Sequence, residues 1–183
     1  MTKQEKIKDN ILLEKLVNND QSDRQDFFRN PELVIKKDMK RRDIVDLLLE
    51  KKLVKTSKDY FNAALIYLHG SDIKDYKRAR DLSRKSCNLK DNLWSKWLFA
   101  TTTDRLFLRL NQKQKFGTQY KIISVSDRGR EKKKYQVFPI DKRTSDKTRA
   151  EHAVAPLKVY LAKNNTDVIK VGGKKINKIV FDE

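Results

Sequence analysis

A few polar residues stand where the surrounding sequence calls for apolar ones. His69 closes the apolar run Ala63–Leu68, and Asp104-Arg105 follows three threonines between Leu98-Phe99 and Leu106-Phe107. Gln114, Thr118 and Gln119 surround Gly117 in KQKFGTQ, and Arg149 lies beyond a stretch of β-type sequence. Aspartate and arginine avoid interiors unless paired and hydrogen-bonded. If the set forms one site, Arg105 and Arg149 would hold an anion while Gln114, Thr118 and Gln119 recognise polar edges. His69 or Asp104 would then serve as general base, an arginine stabilising developing negative charge. The alternative is a structural network, with Asp104 bound to an arginine, the glutamines satisfying loop backbone and His69 capping carbonyls.

Other chemistries lack their signatures. The sequence has no phosphate-binding P-loop, nucleophile elbow or paired-carboxylate glycosidase pattern. Two histidines and one cysteine argue against a structural metal site, and no cofactor is expected. Cys87 sits in an ordinary amphipathic stripe as a core residue, and a lone cysteine suits a reducing compartment.

The elements that must position these residues are mostly helices. Residues 3–18 carry Ile7, Ile11, Leu12 and Leu16 at helical spacing, and Asn18-Asn19-Asp20 should end that helix. Pro31, capped by Asn30, opens one long helix or two short ones reaching Val54, with KKDMKRRD as an exposed face or a break. Thr56 and Asp59 form a capping box for a third helix, apolar nearly all round and hence central, with Gly70 as its C-terminal cap. Ser71 or Asp72 caps a fourth helix with Ile73, Tyr76, Ala79, Leu82 and Ser86/Cys87 on one stripe. Asp91 caps a fifth, its buried candidates being Trp94, Trp97, Leu98, Leu106 and Leu110. Short loops make these helices antiparallel neighbours. The runs YKIISV and KYQVFPI read as a β-hairpin, Ser145 caps another helix, and Pro156 restarts it. Gly172-Gly173 marks a second hairpin or a loose basic tail.

The expected fold is therefore mainly α: an antiparallel helical-hairpin core with a small β-hairpin at about 120–140. One helical domain would cover residues 1–162, with the tail or second hairpin over 163–183.

The stretch A-x-x-Y-x-x-G followed by D-Y-K-R-A-R is similar to Sel1-type and tetratricopeptide repeats, but only about one and a half units fit. A second resemblance covers residues 18–162. Asp20-Gln21…Arg24, AALIYLHG, Asp104-Arg105 and Gln114-Lys115-Phe116-Gly117-Thr118-Gln119 occur in the order found in a family of uncharacterised bacterial proteins. Pro139-Ile140-Asp141, Asp146-Lys147-Thr148-Arg149 and Pro156-Leu157…Tyr160 continue that order. Leu68 stands where the family has glutamine, and a single Arg149 where two arginines are common. The resemblance implies a shared site and no particular reaction.

Charge sets the second functional expectation. The net charge is +18, with 25 Lys/Arg against 17 Asp/Glu in residues 1–110 and 18 against 8 in residues 111–183. Such an excess favours anionic partners. Three readings follow, in order. The first is a polar pocket that binds, and acts on, a small anionic ligand. The second is RNA or ribosome association through Lys36, Lys37, Arg41, Arg42, Lys132, Lys133, Lys134, Lys174 and Lys175. The third is a protein-interaction scaffold. No apolar run approaches the ~18 residues of a membrane span, so no membrane partner and a cytoplasmic location are expected. The sequence assigns no oligomeric state.

Overall fold

The computed structural model describes residues 7–127, 130–159 and 167–168. The chain is mainly helical with a small β-sheet, as its periodicity predicts. It divides into two compact units, residues 1–98 and 99–183.

The first unit is built from α1 (Ile11–Asp26), α2 (Pro31–Glu50), α3 (Ser57–Leu68), α4 (Ile73–Leu89) and the start of α5 (Leu93–Arg109). Helix α1 differs from its expected bounds. It starts where the Asn10 side chain accepts from the amides of Leu12 and Leu13, at 3.0 and 3.2 Å, and it runs straight through Asn18-Asn19-Asp20. Asp20 does not stop the helix because it is buried and pairs with Arg24 one turn on. Helix α2 is one 20-residue helix with Asn30 as its cap and Pro31 in its first turn. The Thr56–Asp59 capping box at α3 is present in both directions. Asp59 also accepts the amide of Asn10 at 2.7 Å, tying the start of α1 to the start of α3.

Helix α3 is central, with Ala63, Ala64, Ile66, Tyr67 and Leu68 buried among Leu13, Val45, Leu48, Leu82 and Leu98. Its C-cap is His69 rather than Gly70. Glycine is needed at 70 for another reason: a Cβ there would lie 2.2 Å from that of Asp75. Asp72 caps α4, accepting the Asp75 amide at 2.8 Å, and α4 buries Tyr76, Ala79, Leu82, Ser83 and Ser86 while Ile73 stays exposed.

At the start of α5 the capping acceptor is Asn92, which takes the Ser95 amide at 2.9 Å, in place of Asp91. Trp94 and Trp97, expected inside, are 73% and 39% exposed. The reason is a ladder of hydroxyls: Ser57 lies 3.1 Å from Ser86, and Ser86 lies 2.7 Å from Ser95. That ladder turns Ser95 and Leu98 inward and so phases both tryptophans outward. Leu106 is buried as expected, whereas Leu110 is 38% exposed. Cys87 is only partly buried, and that burial pushes its thiol pKa up.

The second unit comprises the remainder of α5, β1 (Tyr120–Asp127), β2 (Arg130–Val137), α6 (Asp146–Glu151) and β3 (Asp167–Val168). Strands β1 and β2 form the expected antiparallel hairpin, Tyr120 opposite Val137, and β3 pairs with β2 in parallel. Ser145 caps α6, accepting the Thr148 amide at 3.1 Å. Helical backbone resumes at 157–159 after Pro156. Ala100, Phe116 and Val154 form this unit's apolar cluster. The hairpin expected at Gly172-Gly173 lies outside the described residues.

Candidate functional site

Six of the seven residues singled out for chemistry fall in the second unit, and there they hold one turn. Asp104 is fully buried. Its Oδ1 accepts the amides of Lys115 and Phe116 at 2.7 and 2.8 Å. Its Oδ2 accepts the amide and the hydroxyl of Thr118 at 2.8 and 2.9 Å. Burial pushes the Asp104 carboxyl pKa up, and these four donors pull against it. A carboxylate offers about four lone-pair sites, so all are filled. Asp104, expected as a general base, here accepts from the turn with both oxygens.

Gln114 is equally committed. Its amide nitrogen donates to the carbonyls of Gln119 and Phe138 at 3.0 and 2.7 Å. Its amide oxygen accepts from the Gln119 backbone at 2.9 Å. Arg149, 1% exposed, donates through Nη1 to the Phe116 carbonyl. The Phe116 residue therefore bridges the Asp104 carboxylate on its N–H side and the Arg149 guanidinium on its carbonyl side. The Arg149 Nε makes no hydrogen bond among the described residues and lies 3.5 Å from Asp146 Oδ1. Burial holds the Arg149 pKa below its usual value, against the pull of Asp146 and Asp104. Gly117 sits at φ +82°, where a side chain would meet Ile140 Cδ1 at 2.8 Å. Buried in this way, Gln114 and Arg149 hold the turn as parts of a clasp. Arg105 and Gln119, 3.4 Å apart, are half-buried at its edge.

His69 belongs to the first unit and to a different network. Its Nε2 lies 3.5 Å from Oδ2 of Asp20; the His69 side chain is 21% exposed and Asp20 only 1%. Gln21 donates to Asp20 Oδ2 at 2.8 Å, and Arg24 to Oδ1 at 3.3 Å. Arg24 also reaches both oxygens of Asp38 at 2.5 Å. Arg41 donates to Asp38 at 2.7 Å and to Asp23. Burial raises the Asp20 pKa to about 6, opposed by Arg24 and reinforced by Asp38. The D-Q…R residues and His69 thus meet around one carboxylate.

Asp38 is not among the expected site residues and Arg41 is expected only to meet nucleic acid, since KKDMKRRD reads as an exposed face or a break, yet both are buried. The signal was present. Val34, Asp38, Arg41, Val45 and Leu48 recur at steps of four and three, one continuous helical stripe with two charges inside it.

Of the cations expected to meet nucleic acid, Lys36 is exposed. Lys37 pairs with Asp23 at 2.7 Å, Arg42 lies 3.5 Å from Asp75, and Arg41 is withdrawn by its burial. Lys132, Lys133 and Lys134 pair across β1 with Val125, Ser124 and Ile123, and Lys174 and Lys175 lie outside the described residues.

No family model, curated protein or solved structure matches the chain. Among the described residues no cluster of three His, Cys, Asp or Glu could hold a metal, and no helix is long and apolar enough to cross a membrane.

Proposed function

We propose that the chain binds a small anionic ligand at the His69 edge of its first unit, with His69 as the acid–base group for any reaction there. One observation carries this: a partly exposed imidazole backed at 3.5 Å by a buried carboxylate, Asp20. A carboxylate behind a histidine fixes its tautomer and steadies the imidazolium that forms on proton uptake. Arg24, 23% exposed, shares that carboxylate, and Arg42 reaches toward the His69 carbonyl at 3.5 Å. Both arginines favour a phosphate or carboxylate beside the ring.

The test is a thermal melt across nucleotides and phosphorylated metabolites, with the native chain and His69→Gln in parallel. A ligand at a hundred times its Kd stabilises by about 2.7 kcal/mol. The expected result is a shift for one ligand class that His69→Gln abolishes while its unliganded melt stays close to native. No shift across the panel, or an equal shift in both proteins, contradicts the reading.

The net charge of +18 favours a second reading, nucleic-acid binding. Its mark is affinity that falls steeply as salt rises.

A further inference from the structure

The first unit holds a cavity that the His69 edge does not use. Its volume is about 530 Å³, within the ~300–1,000 Å³ of small-molecule sites. Leu49, Val54 and Leu82 form an aliphatic wall, and Tyr60 adds an aromatic one. Lys52, Arg78 and Lys85 face it, against the two acids Glu50 and Asp81. Arg78 lies 3.5 Å from Asp46 outside the cavity. The Lys85 ammonium rests 5.5 Å from the centre of the Tyr60 ring, so an aromatic face and a cation are held side by side.

Lys52 is fixed by its backbone. It occupies the left-handed position after α2, at φ +56°. The Leu53 amide donates back to Leu48 at 2.9 Å and the Lys52 amide to Leu49 at 3.1 Å. These two bonds close the helix end in a Schellman turn and set where the Lys52 side chain leaves the chain. Tyr60 precedes His69 by nine residues, about 13 Å along the helix, so the cavity and the His69 edge are separate places.

We propose that this cavity binds a small amphipathic anion, its flat apolar body against Tyr60 and the aliphatic wall and its single carboxylate or phosphate head at Lys52 and Lys85. Apolar burial supplies the attraction for the body, and the two ammonium groups select the head. A purely apolar ligand leaves both lysines unmatched. A bare anion leaves the wall wet.

The experiment is a methyl NMR titration of the full chain with phenyl phosphate, and separately with phenol and with inorganic phosphate. Leu49, Val54 and Leu82 methyls are the reporters, and Lys52→Asn and Lys85→Gln are the variants. Both lysines are exposed, and asparagine tolerates the left-handed backbone at 52. The expected result is saturable movement of those methyls with phenyl phosphate. Phenol, inorganic phosphate and each lysine variant should bind at least about tenfold more weakly, the loss of one charge-assisted contact or of the apolar body. His69→Gln should leave this titration unchanged, which separates it from the His69 reading. Methyls that stay still beyond about 1 mM phenyl phosphate, or that move equally with inorganic phosphate or in the lysine variants, overturn the proposal.

Discussion

Asp104 and Asp20 are both buried carboxylates, but the chain compensates them differently. Asp104 is surrounded by four donors from a single turn, two on each oxygen, and replacing one oxygen with an amide nitrogen takes the acceptor from one of those pairs. Asp104→Asn should destabilise the second unit by about 3 kcal/mol, the scale for breaking a buried charged network. Hydrogen exchange at the Lys115, Phe116 and Thr118 amides is the direct readout. Native protection in the variant would show that the clasp does not depend on the carboxylate. Asp20, in contrast, has its pKa raised from 3.8 to about 6, chiefly by burial. Between those values the folded state keeps a proton that the unfolded state has released, so stability falls as pH rises from about 4 to 6 and levels off above. The loss from this group is about 3 kcal/mol. Carboxyl-carbon NMR of Asp20 should give a midpoint near 6; a midpoint in the ordinary carboxylate range contradicts the burial argument.

At the scale of elements, helix starts follow local chemistry and so were the most legible features. Thr56 and Asp59 satisfy each other's ends within three residues, and the capping box appears as read. Thr56→Ala should cost about 1 kcal/mol in chemical denaturation. No change would mean that Asp59 alone holds the turn, through its bonds to the Lys55 and Thr56 amides at 3.0 Å each. What was illegible depended on neighbours. The outward turn of Trp94 and Trp97 comes from the Ser57–Ser86–Ser95 ladder, which joins residues 38 positions apart in the chain. The burial of Asp38 and Arg41 sits between these cases. Asp38 falls four residues after Val34 and Arg41 four before Val45, a readable stripe, but charge in a sequence points to exposure. The candidate site divided in the same way: the sequence groups His69 with Asp104 and Arg105, whereas packing sets it against Asp20 and links that carboxylate to partners on α2. Six residues read as chemistry in the QKFGTQ region are mostly consumed in positioning a turn, because residue type alone does not tell a clasp from a pocket.

At the scale of the whole molecule, the +18 charge is the broadest pull on partners. None of that excess comes from the cluster in the first unit where Arg24, Lys37 and Arg41 meet Asp20, Asp23 and Asp38, three cations against three acids. If nucleic acid is the partner, its affinity should fall by about tenfold or more between low and physiological salt, in a filter or anisotropy assay. Salt-independent affinity removes that reading.

For ligand binding at His69 the chain supplies its own control, since it has two histidines. His152 belongs to the second unit, its ring 4.6 Å from that of Phe116 and its Nδ1 2.9 Å from the Thr148 carbonyl. Imidazole NMR during titration with inorganic phosphate, then with nucleoside monophosphates, watches both at once. The expected result is saturable movement of the His69 ring while His152 stays fixed. A His69 ring that stays still throughout, or two rings that drift together, would contradict it.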